Sequence, residues 1–210
     1  MLELIIAGGL VAAVVLVSEI IGRKKLASQE LTRKLPHIAL ALFFAVQPFY
    51  ISFQGITYLA ILCLLGFLMV DKLGWFIHAR TVKRKTYGEI FFSLGAVAAS
   101  LITHDKWIFA AAMLNLGLAD SAAALVGIKK GKHSFKIFSQ KKSLEGSLTF
   151  TFVSALIAAW VVLIVPAGFR DSWPIIIWLP ILAASSEALL PYGADNLVIP
   201  VLIALAFRLA

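Results

Sequence analysis

An all-α, polytopic membrane bundle is the fold that this 210-residue sequence predicts. Three observations carry the prediction. Hydrophobic residues make up 61% of the chain and charged residues 14%, with a mean hydropathy of +0.95. Soluble domains run nearer roughly 45–50% and about 25%. Apolar runs close to the ~20 residues that cross a bilayer core recur along the whole chain. Basic residues gather on one side when those runs are taken as spans. Together these exclude an ordinary soluble domain, a disordered chain, a collagen and a disulfide scaffold. The single cysteine, Cys63, lies inside an apolar run and reads as a packing residue.

The segments, in order, are Leu2–Ile21, Leu35–Ile51, Ile56–Phe76, Glu89–Thr103, Trp107–Ile128, Ser147–Val165, Trp173–Leu190 and Leu197–Ala210. They give about eight spans; the fourth and eighth are short, so seven or six with an interfacial or re-entrant segment is the competing count. The first segment has Glu3 before it and Arg23, Lys24 and Lys25 directly after it, which favours a retained span over a cleaved signal. No repeat, low-complexity tract or linker divides the chain, so one domain over 1–210 is expected.

Sixteen of the 19 Lys and Arg residues fall in the connections after the first, third and fifth segments. Lys106, Arg170 and Arg208 fall opposite. The positive-inside rule makes the crowded side cytoplasmic and, with eight spans, puts both termini outside. Nucleic acid is not expected as a partner, because the basic loops carry no interleaved aromatic residues. Acids do not set topology, yet Glu19, Glu30, Asp71, Glu89, Asp120, Glu145, Glu187 and Asp195 all lie at or near the basic face. Salt-bridge compensation between loops is the simple explanation, but several of these acids sit within apolar spans.

Asp120, in LADSAAALVGIKKGKH, lies about 10 Å inside the fifth span at 1.5 Å per residue. An isolated carboxylate there costs several kcal/mol, so a base, a metal ion or a water-filled cavity must meet it. Small neighbours, Ala119 and Ser121 to Ala124, leave room for a ligand. An ion-paired Asp tying two helices is the structural alternative. Beyond it, Gly127 to Ser147 carries six lysines, and Lys142, Ser143 and Glu145 open the next helix. Lysines, glycines and a helix start suit phosphate, although the Walker A spacing is absent. Read alone, the lysines are a topology signal.

Three further corners complete the basic face. Glu30, Arg33, Lys34 and His37 share a helical stripe beside Pro36. Glu89 sits at the mouth of the fourth segment. Glu187 ends the seventh segment, and Asp195 and Asn196 open the eighth, where they suit helix capping as well as ligand binding. Carboxylates with open positions suit magnesium shared with substrate phosphates, the equipment of phosphoryl or nucleotidyl transfer. In a membrane the acceptor would be a lipid.

The stretches ELTRKLPHI (30–38), TYGEIFFSLG (86–95), LADSAAALVGIKKGKH (118–133), KKSLEGS (141–147) and EALLPYGADNLVIP (187–200) resemble one family in order and spacing. It is the membrane lipid kinases related to dolichol kinase, phytol kinase and yeast CTP-dependent diacylglycerol kinase, distantly similar to phosphatidate cytidylyltransferases. One departure is visible: where the family pattern reads Gly-Asp-Thr-Ala-Ala, this chain has Ala119, Asp120, Ser121, Ala122 and Ala123.

The resemblance implies transfer of a CTP γ-phosphate to a polyprenol, dolichol, phytol or similar alcohol at the cytoplasmic leaflet. On that reading Asp120, Glu145 and Lys142 are catalytic, and Asp120 and Glu145 hold magnesium. Lys129, Lys132, Lys141 and Ser143 bind the triphosphate. Glu30, Arg33, Lys34, His37 and Glu89 complete the headgroup site, and Asp195 and Asn196 reach in from the last helix. Two other functions compete. Cytidylyl transfer would release pyrophosphate and yield a CDP-lipid. An ion-coupled transporter would show inverted repeats, which this sequence lacks.

Overall fold

The computed structural model describes residues 2–24, 29–73, 87–138, 140–165 and 169–209. Among them lie eight helices: α1 (Leu2–Arg23), α2 (Gln29–Val46), α3 (Phe53–Leu73), α4 (Gly88–Ile102), α5 (Lys106–Lys130), α6 (Leu144–Ile164), α7 (Ile175–Leu189) and α8 (Asp195–Leu209). One antiparallel hairpin, β1 (Ser134–Ile137) and β2 (Gln140–Ser143), joins α5 to α6. The eight apolar segments therefore each become a helix. The hairpin is an addition that the sequence did not announce.

Three helices are long and apolar enough to cross a membrane: Phe53–Val70 within α3, α5 and α6. Ile5–Ile21, Lys34–Phe49, Gly88–Ile102 and Ile175–Leu189 are apolar but shorter. Among the described residues the structure thus carries a helical architecture with three helices of crossing length, and length alone does not support a count of eight. Large apolar side chains point outward on many helices, among them Leu16, Leu62, Met69, Phe152 and Ile177. Helices apolar on their outer faces match a lipid surround, since soluble monomers rarely expose contiguous patches of this kind.

α5 is the axis of the bundle. Most of it is buried, and it packs on α2, α6 and α8. Phe44, Phe92, Phe109, Phe150, Met113 and Leu116 fill the centre with no exposed surface or nearly none. In lipid the gain from such packing is dispersion and close approach more than water release. Small residues make the approach possible: a Cβ on Gly117 would collide with Ala41 of α2, and one on Gly95 would lie 3.2 Å from the Pro200 ring of α8.

The ends of α5 mark two levels. At its start, Asp105 caps the helix, its Oδ1 accepting from Trp107 N at 2.8 Å and Ile108 N at 3.0 Å. There Trp107 packs edge-on against Phe49 and Trp160, and the Lys106 ammonium lies 5.3 Å from the Phe49 ring centre. Aromatic rings beside a lysine are what a membrane–water boundary collects. At 1.5 Å per residue the 25 residues of α5 reach about 37 Å from there to Lys129 and Lys130.

α2 begins at Gln29, six residues before the apolar run. The expected start at Leu35 is corrected for a physical reason: a buried partner, Asp120, holds Lys34 inside the bundle. Lys34, counted among the loop charges, is in fact buried in this helix. Pro36 removes one backbone donor without ending it. Most of the connection after α3 lies outside the described residues.

Candidate active site

Asp120 owes its position to a break in the ladder of α5. Residues Asn115–Ala119 form a π-segment, in which Asp120 N donates to Asn115 O rather than to Leu116 O four residues back. Leu116 O is thereby released, and His37 Nε2 of α2 donates to it at 3.1 Å. The same nitrogen lies 3.5 Å from Asp120 Oδ2. Lys34, about one turn before His37 on α2, donates from Nζ to Asp120 Oδ2. One irregularity in α5 thus presents a carboxylate and a bare carbonyl to one stripe of α2.

Two more carboxylates converge on Asp120. Glu187, near the end of α7, and Asp195, at the start of α8, bring their oxygens within 4.8 Å of one another and of Asp120. All three residues are buried. Lys142, at the end of the hairpin, donates from Nζ to Glu187 Oε1. Asp195 makes no ion pair with a described residue. Two ammonium groups against three carboxylates leave one formal negative charge, in a setting where an uncompensated charge is strongly disfavoured. Hard oxygen donors in this number suit a divalent cation.

The turn between α7 and α8 sets this geometry. Tyr192 and Gly193 both take left-handed backbone conformations, with φ of 60° and 86°. Tyr192 O accepts from Tyr87 N at 3.0 Å, and Asn196 Nδ2 donates to Gly88 O at 3.0 Å. These bonds tie the head of α8 to the head of α4 and hold Asp195 facing inward.

The carboxylates sit at the floor of a cavity of about 450 Å³, within the range of small-molecule sites. Its walls come from α2, the second half of α5, the hairpin and the starts of α6 and α8. Three glycines in its lining let α5 approach the hairpin and α6 closely. A Cβ on Gly127 would lie 3.0 Å from Ser143 Oγ, one on Gly131 2.8 Å from Ser143 Cβ, and one on Gly146 2.9 Å from Ala123 O. Ser143 caps α6, its Oγ accepting from Gly146 N at 3.1 Å. Two polar atoms on the walls, Gln140 Nε2 and Ser147 Oγ, are buried with no hydrogen-bond partner among the described residues. Buried donors without partners are rare in native structures and are the natural contacts of a ligand.

The structure brings Lys34, His37, Asp120, Lys141, Lys142 and Ser143 around this one cavity, with Asp195 and Asn196. Lys129, Lys132 and Glu89 stand outside its walls, the two lysines exposed to solvent. Glu145 stands apart from the three carboxylates: His133 approaches it with Nδ1 at 2.8 Å from Oε1 and donates its backbone N–H at 3.2 Å. The side chains of Glu30 and Arg33 lie outside the described residues. Glu187, Gln140 and Ser147 were not among the expected ligands. Glu187 was visible only as an acid ending an apolar span, with nothing in the sequence to pair it with Asp120.

A phytol kinase of Synechocystis sp. is 30% identical to this chain over 213 residues, which cover 95% of the chain and 89% of that relative. No family model matches the chain, and no solved structure matches it.

Proposed function

The chain belongs to the polyprenol and phytol kinase family, and on that premise we propose that it transfers a phosphoryl group from a nucleoside triphosphate to the hydroxyl of a long-chain lipid alcohol. The donor on this reading is CTP, the acceptor phytol or a related isoprenoid alcohol, and the reaction takes place at the cytoplasmic leaflet. The eight helices form the membrane domain, with both termini on the outer side. The observation that carries the reading is the meeting of Asp120, Glu187 and Asp195 with Lys34 and Lys142 at the floor of one polar cavity.

Phosphoryl transfer asks little covalent chemistry of a protein; it asks for positioning and for neutralisation of charge on the phosphates. Asp120, Glu187 and Asp195 would hold magnesium, whose chemistry when bound is to neutralise phosphate oxygens. Lys141 and Lys142 face the cavity and offer ammonium groups to the same oxygens. Gln140 Nε2 and Ser147 Oγ offer neutral donors. Lys34 and His37 keep the Asp120 carboxylate in place between nucleotide cycles. A lipid tail leaves the bilayer only at about 0.8 kcal/mol per buried CH₂, so the hydroxyl must come to the cavity from the side while its tail stays in lipid. Phe91 on α4 and Ala122 and Ala123 on α5 are the residues proposed to border that approach; Phe92, expected beside them, is packed in the core against His37 and Phe44.

The test uses purified protein in nanodiscs containing phytol, given CTP or ATP labelled in either the γ- or the α-phosphate. Label from the γ-phosphate should enter the lipid, with nucleoside diphosphate released. Label from the α-phosphate in the lipid, with pyrophosphate released, would overturn the reading in favour of nucleotidyl transfer.

A further inference from the structure

The β-hairpin between α5 and α6, together with the end of α5 that leads into it, carries more charge and more apolar surface than the cavity uses. Lys141 and Lys142 line the cavity, but Lys129, Lys130, Lys132, Lys136 and Phe138 do not, and all five are exposed. The pairing of the strands places Lys136 directly opposite Lys141. Like charges facing each other across a strand pair are destabilising unless an anion lies between or above them. The loop joining the strands is two residues long by the register, and its first residue, Phe138, has φ of 51°. Such loops favour Asn, Asp or Gly there, because a bulky side chain is strained in the left-handed region. This chain instead spends that position on a phenylalanine that is 73% exposed at the tip of the hairpin. An aromatic tip on a basic stem is at odds with folding economy and in accord with a surface that is apolar inside and anionic outside.

The hairpin also lies at the right level. It leaves α5 at Lys130 and returns into α6 at Leu144, at the opposite end of α5 from the Trp107 and Lys106 boundary. We propose that the hairpin is a membrane latch: Phe138 enters the interfacial region of the bilayer, and Lys129, Lys130, Lys132 and Lys136 engage anionic phospholipid headgroups around it. Each lysine near an anionic surface is worth about fivefold in binding, so the stem favours acidic over zwitterionic lipid strongly. Because β2 ends in Lys142 and Ser143, docking the tip also fixes the wall of the cavity that these two residues form. The inference rests on the membrane placement of the helices and not on the identity of the reaction.

Hydrogen–deuterium exchange of the full-length protein in nanodiscs tests it, without nucleotide and with no change to the chain. Residues 134–143 should exchange more slowly in nanodiscs rich in phosphatidylglycerol than in pure phosphatidylcholine. High salt should remove much of the difference, since it screens headgroup attraction. Lys136→Gln and Phe138→Ser should each bring exchange in acidic nanodiscs toward the phosphatidylcholine value, by about fivefold for the lysine. Equal exchange in the two lipids would overturn the latch. So would protection that appears only on adding nucleotide and ignores lipid charge, which would make the hairpin a nucleotide cover instead. If the variants fail to fold, the wild-type lipid and salt series decides the matter alone. Loss of kinase activity is no part of the readout, so failure here and failure of the proposed reaction are separable.

Discussion

Lys34 of α2 and Asp120 of α5, 86 residues apart in sequence, form a buried ion pair at the floor of the cavity. The pair answers how a carboxylate stands inside an apolar helix, and it gives Asp120 a structural role beside the metal-holding role proposed for it. Replacing one buried partner alone leaves the other uncompensated, which typically costs about 3–5 kcal/mol. Lys34→Ala should therefore lower the thermal midpoint in detergent markedly. The double variant Lys34→Ala/Asp120→Ala should lose less than the sum of the two single changes. Additive losses would mean that the two groups do not interact.

Asp120→Asn keeps the shape and an acceptor for Lys34 while removing the negative charge. Turnover should fall on the order of a hundred-fold or more, the usual cost of removing one charge-stabilising group. The loss should persist at every magnesium concentration in protein that still folds, with a lowered thermal midpoint because Lys34 loses its counter-charge. Near-normal turnover would leave Asp120 a purely structural tie between α2 and α5.

Glu187, at the cavity, and Glu145, outside its lining, separate by geometry. Glu187 lies with Asp120 and Asp195, whereas Glu145 is held by His133. Glu187→Gln should abolish the response of the protein to magnesium, read as the concentration giving half-maximal turnover. Glu145→Gln should leave that concentration nearly unchanged and loosen the base of the hairpin. The reverse pattern would return the metal to Glu145.

Lys142 and Lys136 stand two sides of the same hairpin apart in function. Lys142→Ala removes the partner of Glu187 and a cavity ammonium, so it should raise the nucleotide KM strongly. Lys136 is exposed and outside the cavity, so Lys136→Ala measured in detergent should change the same constant little. Equal, small effects would reduce the lysines to a topology signal.

Gly131→Ala tests the junction of α5 and α6. The added Cβ would sit 2.8 Å from Ser143 Cβ, closer than van der Waals contact allows. Overpacking of this kind costs about 1–3 kcal/mol, and here it pushes on the residue that caps α6. Lower thermal stability with weakened nucleotide use is expected. Unchanged behaviour would show that the junction yields freely.

Much of this molecule is legible in its sequence, and what is hidden has physical causes. Apolar runs locate all eight helices because lipid-facing and core-facing residues are alike apolar. The same averaging hides the start of α2: a window of hydropathy sees Gln29 to Lys34 as a loop, although Lys34 is buried against Asp120. Asp120 stands out because a carboxylate among alanines needs a reason. Glu187 does not, because its reason lies 67 residues away on another helix and appears only when α5, α7 and α8 meet. The hairpin is hidden by its shortness, four residues a strand, and by lysines at positions where strands more often carry β-branched residues. The π-segment before Asp120 leaves no mark in the residues at all, and it is what frees Leu116 O for His37.

Transfer of γ-phosphate label to phytol, followed across a magnesium series for the wild-type protein, Asp120→Asn, Glu187→Gln and Asp195→Asn side by side, probes the three-carboxylate centre most directly. The wild-type protein should form labelled lipid phosphate with a requirement for the metal. The three variants should be silent at every magnesium concentration while remaining folded. Magnesium-dependent label transfer at near wild-type rate by any two of the variants would contradict the centre.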